Sequence, residues 1–333
     1  MPPARKARIE SATDIAIEKA ATLLKSGELI AFPTETVYGL GADAENTAAV
    51  EKIFIAKQRP HHHPLIVHVA SIQDAGFWAE MTPEAETLFS RFSPGALTLI
   101  LRRKPKVSDA VTGGQESVGV RIPSHPVAQK LLQAFSRLGG HGIAAPSANR
   151  FGHVSPTSAQ HVAHDLGEET AMILDGGAAT HGIESTIVAL LDRPVLIRPG
   201  AIERGKIEAA LNAPLAHAGD LASTPRASGT LLSHYAPQTP AHIVAAGALD
   251  KTIAQERLKG RRVALLLRAH TPFRVEATER VIRLPMSAEE YARGLYAALR
   301  TLDFARADIL LIESVPDAPE WEGVTDRLTR ATN

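Results

Sequence analysis

Residues Leu29–Val69 read LIAFPTETVYGLGADAENTAAVEKIFIAKQRPHHHPLIVHV, and this stretch decides the fold class. The run Leu29-Ile30-Ala31-Phe32 is short, wholly apolar and cut off by Pro33, which is the pattern of a buried strand. Thr34-Glu35-Thr36 then sets two hydroxyls around one carboxylate. Gly39 and Gly41 either let the backbone approach a neighbour closely or take up positive φ. Asn46 is a good N-cap, and Val50, Ile53, Phe54 and Lys57 follow at i, i+3, i+4 and i+7, one face of a helix. Three of these are core residues and the fourth is a lysine. Lys57 is therefore expected at the helix end on the side facing the fold, with Arg59 just beyond and Pro60 as the stop. A second apolar strand, Leu65-Ile66-Val67, ends in His68. Strand, helix and strand, with hydroxyls and cations gathered at their ends, describe an α/β unit with a site on one inward edge.

At 333 residues the chain is long enough for about two domains of ordinary size. Its 44% hydrophobic and 22% charged residues are a normal globular composition. Lys+Arg and Asp+Glu number 36 each, so the net charge is zero. That argues against a broad phosphate-tracking surface and for no stable nucleic-acid binding, while leaving room for a local basic pocket. There is no cysteine, which excludes disulfides, thiolate zinc sites and cysteine nucleophiles. No apolar run approaches the ~18 residues of a membrane helix, and the basic start (Arg5, Lys6, Arg8) has no apolar region behind it. No membrane association and a cytoplasmic location are the expectation.

Working outward, Thr13 caps a helix with the stripe Ile17, Ala20, Ala21 and Leu24, ended by Gly27. Pro83 opens another helix, Leu97–Leu101 and Ser117–Ile122 read as strands, and Ile143–Ala145 leads to the polar end Pro146-Ser147-Ala148-Asn149. Ser155 is expected to cap a helix with Pro156 at its first position. Met172–Asp175, Ser185–Val188 and Pro194–Arg198 complete a strand-rich first domain, residues 1–212. Residues 213–240 have no steady period and read as a linker. From 241 to 333 strands and helices alternate again, with the capping box Ser287-x-x-Glu290, which implies a small α/β layer on a mainly parallel sheet.

No short catalytic signature is present: no Gly-Lys-Ser/Thr phosphate loop, no Gly-x-Ser-x-Gly elbow and no His-Glu-x-x-His. Four cations instead stand at the ends of apolar runs, namely Lys57, Arg59, Arg121 and Arg198, among hydroxyls from Thr34, Thr36, Ser117, Ser147, Ser155, Ser185 and Thr186. Guanidinium forks with hydroxyls suit a polyanion such as a nucleotide triphosphate, although any one such cation can simply reach solvent from a strand end. His61-His62-His63 are adjacent on a loop and cannot all face one ion, so a metal site is not expected. Glu35 is either a general base or an acceptor of turn amides, the second being favoured.

The segments FPTETVYGLGADA (32–44), KQRP-x-x-x-PLIVHV (57–69), SPGALTLIL (93–101), VGVRIPSHP (118–126), GIAAPSANRFGHVSPT (142–157), ILDGG (173–177), GIESTIV (182–188) and LIRPGAI (196–202), in this order, resemble the YrdC-domain family. With the linker ending His234-Tyr235-Ala236-Pro237 and the C-terminal unit, the chain is similar to its two-domain members, the threonylcarbamoyl-AMP synthases. The resemblance implies a twisted, mixed-sheet YrdC-like domain followed by a smaller Rossmann-like α/β domain. It implies a nucleotidyltransferase that converts L-threonine, bicarbonate and ATP into threonylcarbamoyl-adenylate and pyrophosphate, for threonylcarbamoyladenosine modification of tRNA. Mg2+ is expected on the ATP phosphates, with no organic cofactor and a tRNA threonylcarbamoyl-transferase complex downstream.

Carried over position by position, the resemblance implies threonine contacts for Thr36, His68, Arg121, Ala145 and Ser185. It implies ATP contacts for Lys57, Arg59, His63, Ser117, Ser147, Ser155, Arg198 and His234, with Lys57 and Arg59 steadying the departing pyrophosphate. Position 63, Asn or Lys in most of the family, is His63 here. The segment 213–240 is expected to act as a lid. Two other readings stand beside this one: an RNA-binding module, and a carbamoyltransferase handling carbamoyl-adenylate, whose usual zinc-finger parts this cysteine-free chain lacks.

Overall fold

The computed structural model describes residues 8–220, 224–272 and 280–333. Arg5 and Lys6 lie outside them. The first unit contains β1 (Ile9–Ser11), α1 (Asp14–Lys25), β2 (Ile30–Phe32), β3 (Gly39–Asp43), α2 (Thr47–Lys57), β4 (Ile66–His68), α3 (Ile72–Trp78), α4 (Pro83–Phe92), β5 (Leu97–Arg102), α5 (Asp109–Thr112), β6 (Ser117–Arg121), α6 (Pro126–Arg137), β7 (Ile143–Ala144), α7 (Ala159–Leu166), β8 (Met172–Asp175), β9 (Thr186–Leu190), β10 (Pro194–Arg198), α8 (Arg204–Leu211) and β11 (Ala216–His217). The second contains β12 (Ala241–Val244), α9 (Leu249–Leu258), β13 (Val263–Arg268), β14 (Arg280–Leu284), α10 (Ala288–Asp303), β15 (Ile309–Glu313) and α11 (Glu322–Ala331).

The first eleven strands form one mixed sheet in the order β1-β8-β2-β3-β7-β4-β6-β5-β9-β10-β11. The last four form a separate sheet, β12-β15-β13-β14, in which every pairing is parallel. This is the mixed first sheet and parallel second sheet expected from the sequence.

Local signals act where the sequence places them. Asn46 accepts from the Ala49 amide at 3.2 Å and starts α2, whose buried face includes Val50, Ile53, Phe54 and Lys57. Gln58 at φ 53° ends that helix, and the Arg59 amide closes back on the Phe54 carbonyl at 2.9 Å. Left-handed closure turns the chain under the helix end, so Lys57 and Arg59 both point into the fold. Gly39 and Gly41 lie within β3 rather than in a turn. A Cβ at Gly41 would stand 2.8 Å from Ile143 Cγ2 and 2.9 Å from the Phe32 ring, so close packing demands this glycine.

One expectation fails. Helix α7 begins at Ala159 and is capped by Ser158, whose Oγ accepts from the His161 amide at 3.3 Å. Ser155 is not its cap. The Pro156 carbonyl is taken by the Tyr38 amide at 2.9 Å, and proline holds the preceding residue extended, so the chain is still strand-like at 155.

The two units share apolar packing. Val37, Val154 and Ile183 of the first unit and Tyr235 of the linker belong to one buried cluster with Tyr296, Leu299 and Val324 of the second. Helices α10 and α11 are thereby pressed against the segments that carry the site.

Candidate functional site

Period-two alternation builds the floor. In the register Ile66↔Gly119, His68↔Arg121, Thr98↔Arg121 and Ile100↔Gly119, these residues share one face of β4, β6 and β5. The opposite face, with Val67, Leu99, Val118 and Val120, is core. The floor is polar at the end bearing His68, Arg121 and Thr98. Towards Ile66, Ile100, Ile187 and Ser117 it becomes an apolar slot roofed by Ala227 and Ser228.

Eight of the thirteen residues singled out from the sequence line the polar hollow: Arg59, His68, Arg121, Ala145, Ser147, Ser185, Arg198 and His234. Ser117 faces the adjoining slot. Four sit one layer behind. Thr36 Oγ1 is 2.9 Å from Thr34 Oγ1, and Thr34 reaches the hollow. The His63 ring packs against Phe151 with centroids 5.2 Å apart, and Arg59 lies over the same Phe151 ring at 5.4 Å. Ser155 Oγ donates to Glu184 at 2.5 Å. Lys57 Nζ donates to the Ser147 carbonyl at 2.6 Å and to the Asn149 carbonyl, pinning the loop that presents Ser147. Three of the four cations thus line one hollow, and the fourth braces its wall.

The arginines differ in their partners. Arg121 Nη2 donates to Glu35 Oε1 at 2.6 Å, both buried, while its Nε has no partner. Glu35 Oε2 accepts the Ser124 and His125 amides at 3.0 and 3.3 Å, which makes this carboxylate the acceptor of turn amides. Burial pushes the Glu35 carboxyl up, but the charge and hydrogen bond of Arg121 outweigh it and hold the group below its ordinary value. Arg59 and Arg198, both buried, form no ion pair among the described residues. Arg59 Nη2 donates to Pro64 O and Ser228 Oγ at 2.9 Å each, and its Nε is unpartnered. Arg198 reaches Ser185 O at 2.9 Å, Ser228 O at 2.7 Å and Tyr235 Oη at 3.3 Å. Arg59 has no carboxylate partner, whereas Arg198 shares the hollow with Glu184, which it attracts without a direct bond and which Arg327 engages.

Burial lowers the basic groups in and behind the hollow. Arg59 falls to about 10, and Lys57 drops well below its ordinary value through burial and the charge of Arg59. His68 and His234 fall to about 3, the first through burial and Arg121, the second through burial against the opposing pull of Glu184. His63 falls to about 4 through burial and Arg59. All three imidazoles are therefore neutral near pH 7. His61 turns to Glu51 at 3.2 Å and His62 to the His63 ring, so the three adjacent histidines face different partners. Among the described residues, no group of three or more His, Asp or Glu side chains is placed to hold a metal ion.

Ser228, Gly229, His234 and Tyr235 close the hollow from the linker side, leaving about 40 Å3 of free volume. Gly229, at φ 75°, passes so close to Tyr235 Oη that a Cβ there would stand 1.8 Å from it. Sequence reading missed Ser228 and Glu184. Ser228 carries no local signal. Glu184 was legible as a lone carboxylate leading into the strand Ser185–Val188, a position that calls for a partner if buried.

Residues 22–200 match the family model described as "Telomere recombination", and residues 202–333 match the model described as "Threonylcarbamoyl-AMP synthase, C-terminal domain". A threonylcarbamoyl-AMP synthase of Bacillus subtilis is 43% identical, covering 96% of this chain and 94% of the relative. One from Pyrococcus abyssi is 40% identical, covering 95% and 94%. The crystal structure of P. abyssi Sua5 complexed with L-threonine superposes with a TM-score of 0.89 at 38% identity, covering 98% of this chain and 97% of the other.

Proposed function

This chain belongs to the threonylcarbamoyl-AMP synthase family, and from that premise we infer that its hollow joins L-threonine, bicarbonate and ATP. The amine of threonine and bicarbonate form a carbamate with loss of water. A carbamate oxygen then attacks the α-phosphorus of ATP, and the bond to pyrophosphate breaks. No protein nucleophile enters, so the side chains act by positioning and by neutralising charge.

The observation that carries this reading is the asymmetry among the three arginines. Arg121, already balanced by Glu35, offers its free Nε to the carboxylate of threonine, beside neutral His68 and Ala145. Thr36, through Thr34, and Ser185 complete that end. Arg59 and Arg198, buried and without a carboxylate in direct contact, suit the phosphates, with Ser147, Ser155 and His234 around them. Lys57 keeps Ser147 in place, and Ser117 faces the apolar slot, whose flat floor at Gly119 suits a purine ring. Position 63 acts through Phe151 and Arg59.

Mg2+ enters as part of the ATP substrate. Glu184, which lines the hollow, and Glu35, bound to Arg121, are both engaged by arginine, so phosphate oxygens and water supply most of its ligands. Because so little free volume remains, the segment 228–235 lifts to admit nucleotide and closes over it. The product adenylate passes to a tRNA threonylcarbamoyl-transferase complex in the cytoplasm, and the chain itself holds no RNA. Among the described residues no helix is long and apolar enough to cross a membrane.

The test is pyrophosphate release from ATP by the purified full chain. Release is expected only when threonine and bicarbonate are both supplied; equal release without threonine overturns the reading.

A further inference from the structure

Three segments that carry site residues meet one side chain of the second unit. Arg327, on α11, is fully buried. Its Nε donates to Glu184 Oε2 at 2.7 Å and its Nη2 to the Glu184 carbonyl at 3.4 Å. Its Nη1 donates to Pro199 O at 3.0 Å and to Asp326 Oδ2 at 2.6 Å. Its guanidinium carbon lies 5.2 Å from the centre of the Tyr235 ring. Pro199 follows Arg198, Glu184 precedes Ser185, and Tyr235 follows His234. Glu184 also accepts from Ser155 Oγ at 2.5 Å and from Tyr296 Oη of α10 at 2.9 Å.

Resting on the synthase reading above, we propose that Arg327 is a positioning residue of this active site, clamping Glu184, Pro199 and Tyr235 so that Ser155, Ser185, Arg198 and His234 converge. Burying a guanidinium and a carboxylate costs several kcal/mol per ion before pairing, and apolar residues at an interface commonly pack at least as well. A charge placed here instead of a leucine supplies what apolar packing does not, namely directed bonds to the segments at Glu184 and Pro199 together with a cation–ring contact to Tyr235. Arg327 touches no substrate position, so its effect passes through Glu184. The groups facing that carboxylate are Arg327 of α11, Tyr296 of α10, Ser155, Arg198 of β10, and His234 and Tyr235 of the linker. Burial pushes Glu184 up, and Arg327, then Arg198, bring it down to about 2, so it is ionised throughout the neutral range.

The test compares Arg327→Met, Arg327→Lys and Tyr296→Phe with the wild-type full chain, in steady-state pyrophosphate release and in thermal unfolding. Removing the first-named lowering influence lets burial raise Glu184 towards the working pH. Once protonated, it no longer fixes the Ser155 hydroxyl as a donor. For Arg327→Met, kcat is expected to fall at least about tenfold, the loss expected when reacting groups are misplaced. The ratio of variant to wild-type kcat is expected to fall by roughly another tenfold from about pH 7.5 to about pH 5.5, as a carboxylate titrates. Taking the ratio removes the titration of bicarbonate and threonine, which both proteins share. Arg327→Lys, which keeps the charge, is expected to restore a flat ratio. Should Arg327→Met fail to fold, Tyr296→Phe removes one bond to Glu184 with packing retained, and a measurable fall in kcat with unchanged unfolding temperature is expected. Variants with wild-type kcat and a flat ratio, differing only in unfolding temperature, overturn the positioning role. If the wild type itself shows no threonine-dependent release, the synthase reading fails first and this role falls with it.

Discussion

Replacing Arg121 with alanine separates the carboxylate-binding role proposed for this arginine from its role in the fold. In the structure one of its nitrogens neutralises Glu35 at 2.6 Å, and its Nε is unpartnered in the hollow. A charge-assisted hydrogen bond to a ligand carboxylate contributes about 1.5–3 kcal/mol. At about 1.4 kcal/mol per tenfold, the KM for threonine should rise roughly 10- to 150-fold, with the KM for ATP little changed. Truncation also strips Glu35 of its counterion, and breaking a buried pair costs about 3–5 kcal/mol of stability. The pH dependence should then reverse in sign. In the wild type the Glu35 carboxyl lies below its ordinary value of 4.5, so its stabilising contribution is present above that pH and is lost as pH falls through the lowered value. Without Arg121, burial dominates and raises the group, so the variant is most stable with Glu35 protonated and loses that stability as pH rises through the raised value. The assays are pyrophosphate release at varied threonine with saturating ATP and bicarbonate, and urea unfolding at pH 5 and pH 7. An unchanged threonine KM beside an altered ATP KM would refute the assignment of Arg121. A variant more stable at pH 7 than at pH 5 would refute the electrostatic account of Glu35.

Lys57→Met removes the donor that holds the Ser147 and Asn149 carbonyls and replaces none of the residues that line the hollow. ATP affinity, read by calorimetry, is expected to fall about 10-fold or more, and an unchanged affinity would show that the loop stands without it. Ser158→Ala should cost about 1 kcal/mol as a lost helix cap, whereas Ser155→Ala should leave α7 intact and act on turnover. Equilibrium unfolding beside kcat for the two variants distinguishes these effects, and the reverse pattern would restore the helix start at Pro156.

Much of the fold was legible because its signals are local. Asn46, the stripe Val50-Ile53-Phe54 and the closing turn before Pro60 lie within a few residues of one another, and they determined both α2 and the inward direction of Lys57. The run at Leu97–Leu101 and the capping box at Ser287 worked in the same way. The start of α7 was misread because two serines three residues apart are equal candidates for a cap, and only the Tyr38 amide on the Pro156 carbonyl decides between them. The set of cations at strand ends was likewise visible in the chain, as were the ordered segments that mark the family.

What each cation faces was not visible. Glu35 and Arg121 are 86 residues apart in sequence and Glu184 and Arg327 are 143 apart, so no periodicity links them. A carboxylate beside a buried strand announces that it needs a partner but carries nothing about where that partner lies. Only tertiary packing, by stacking β4, β6 and β5 in register and pressing α10 and α11 against the linker, settles which arginine of the hollow is bonded to a carboxylate and which two are not. Local propensity acts over a few residues, whereas charge pairing is decided by distances that exist only once the chain has folded.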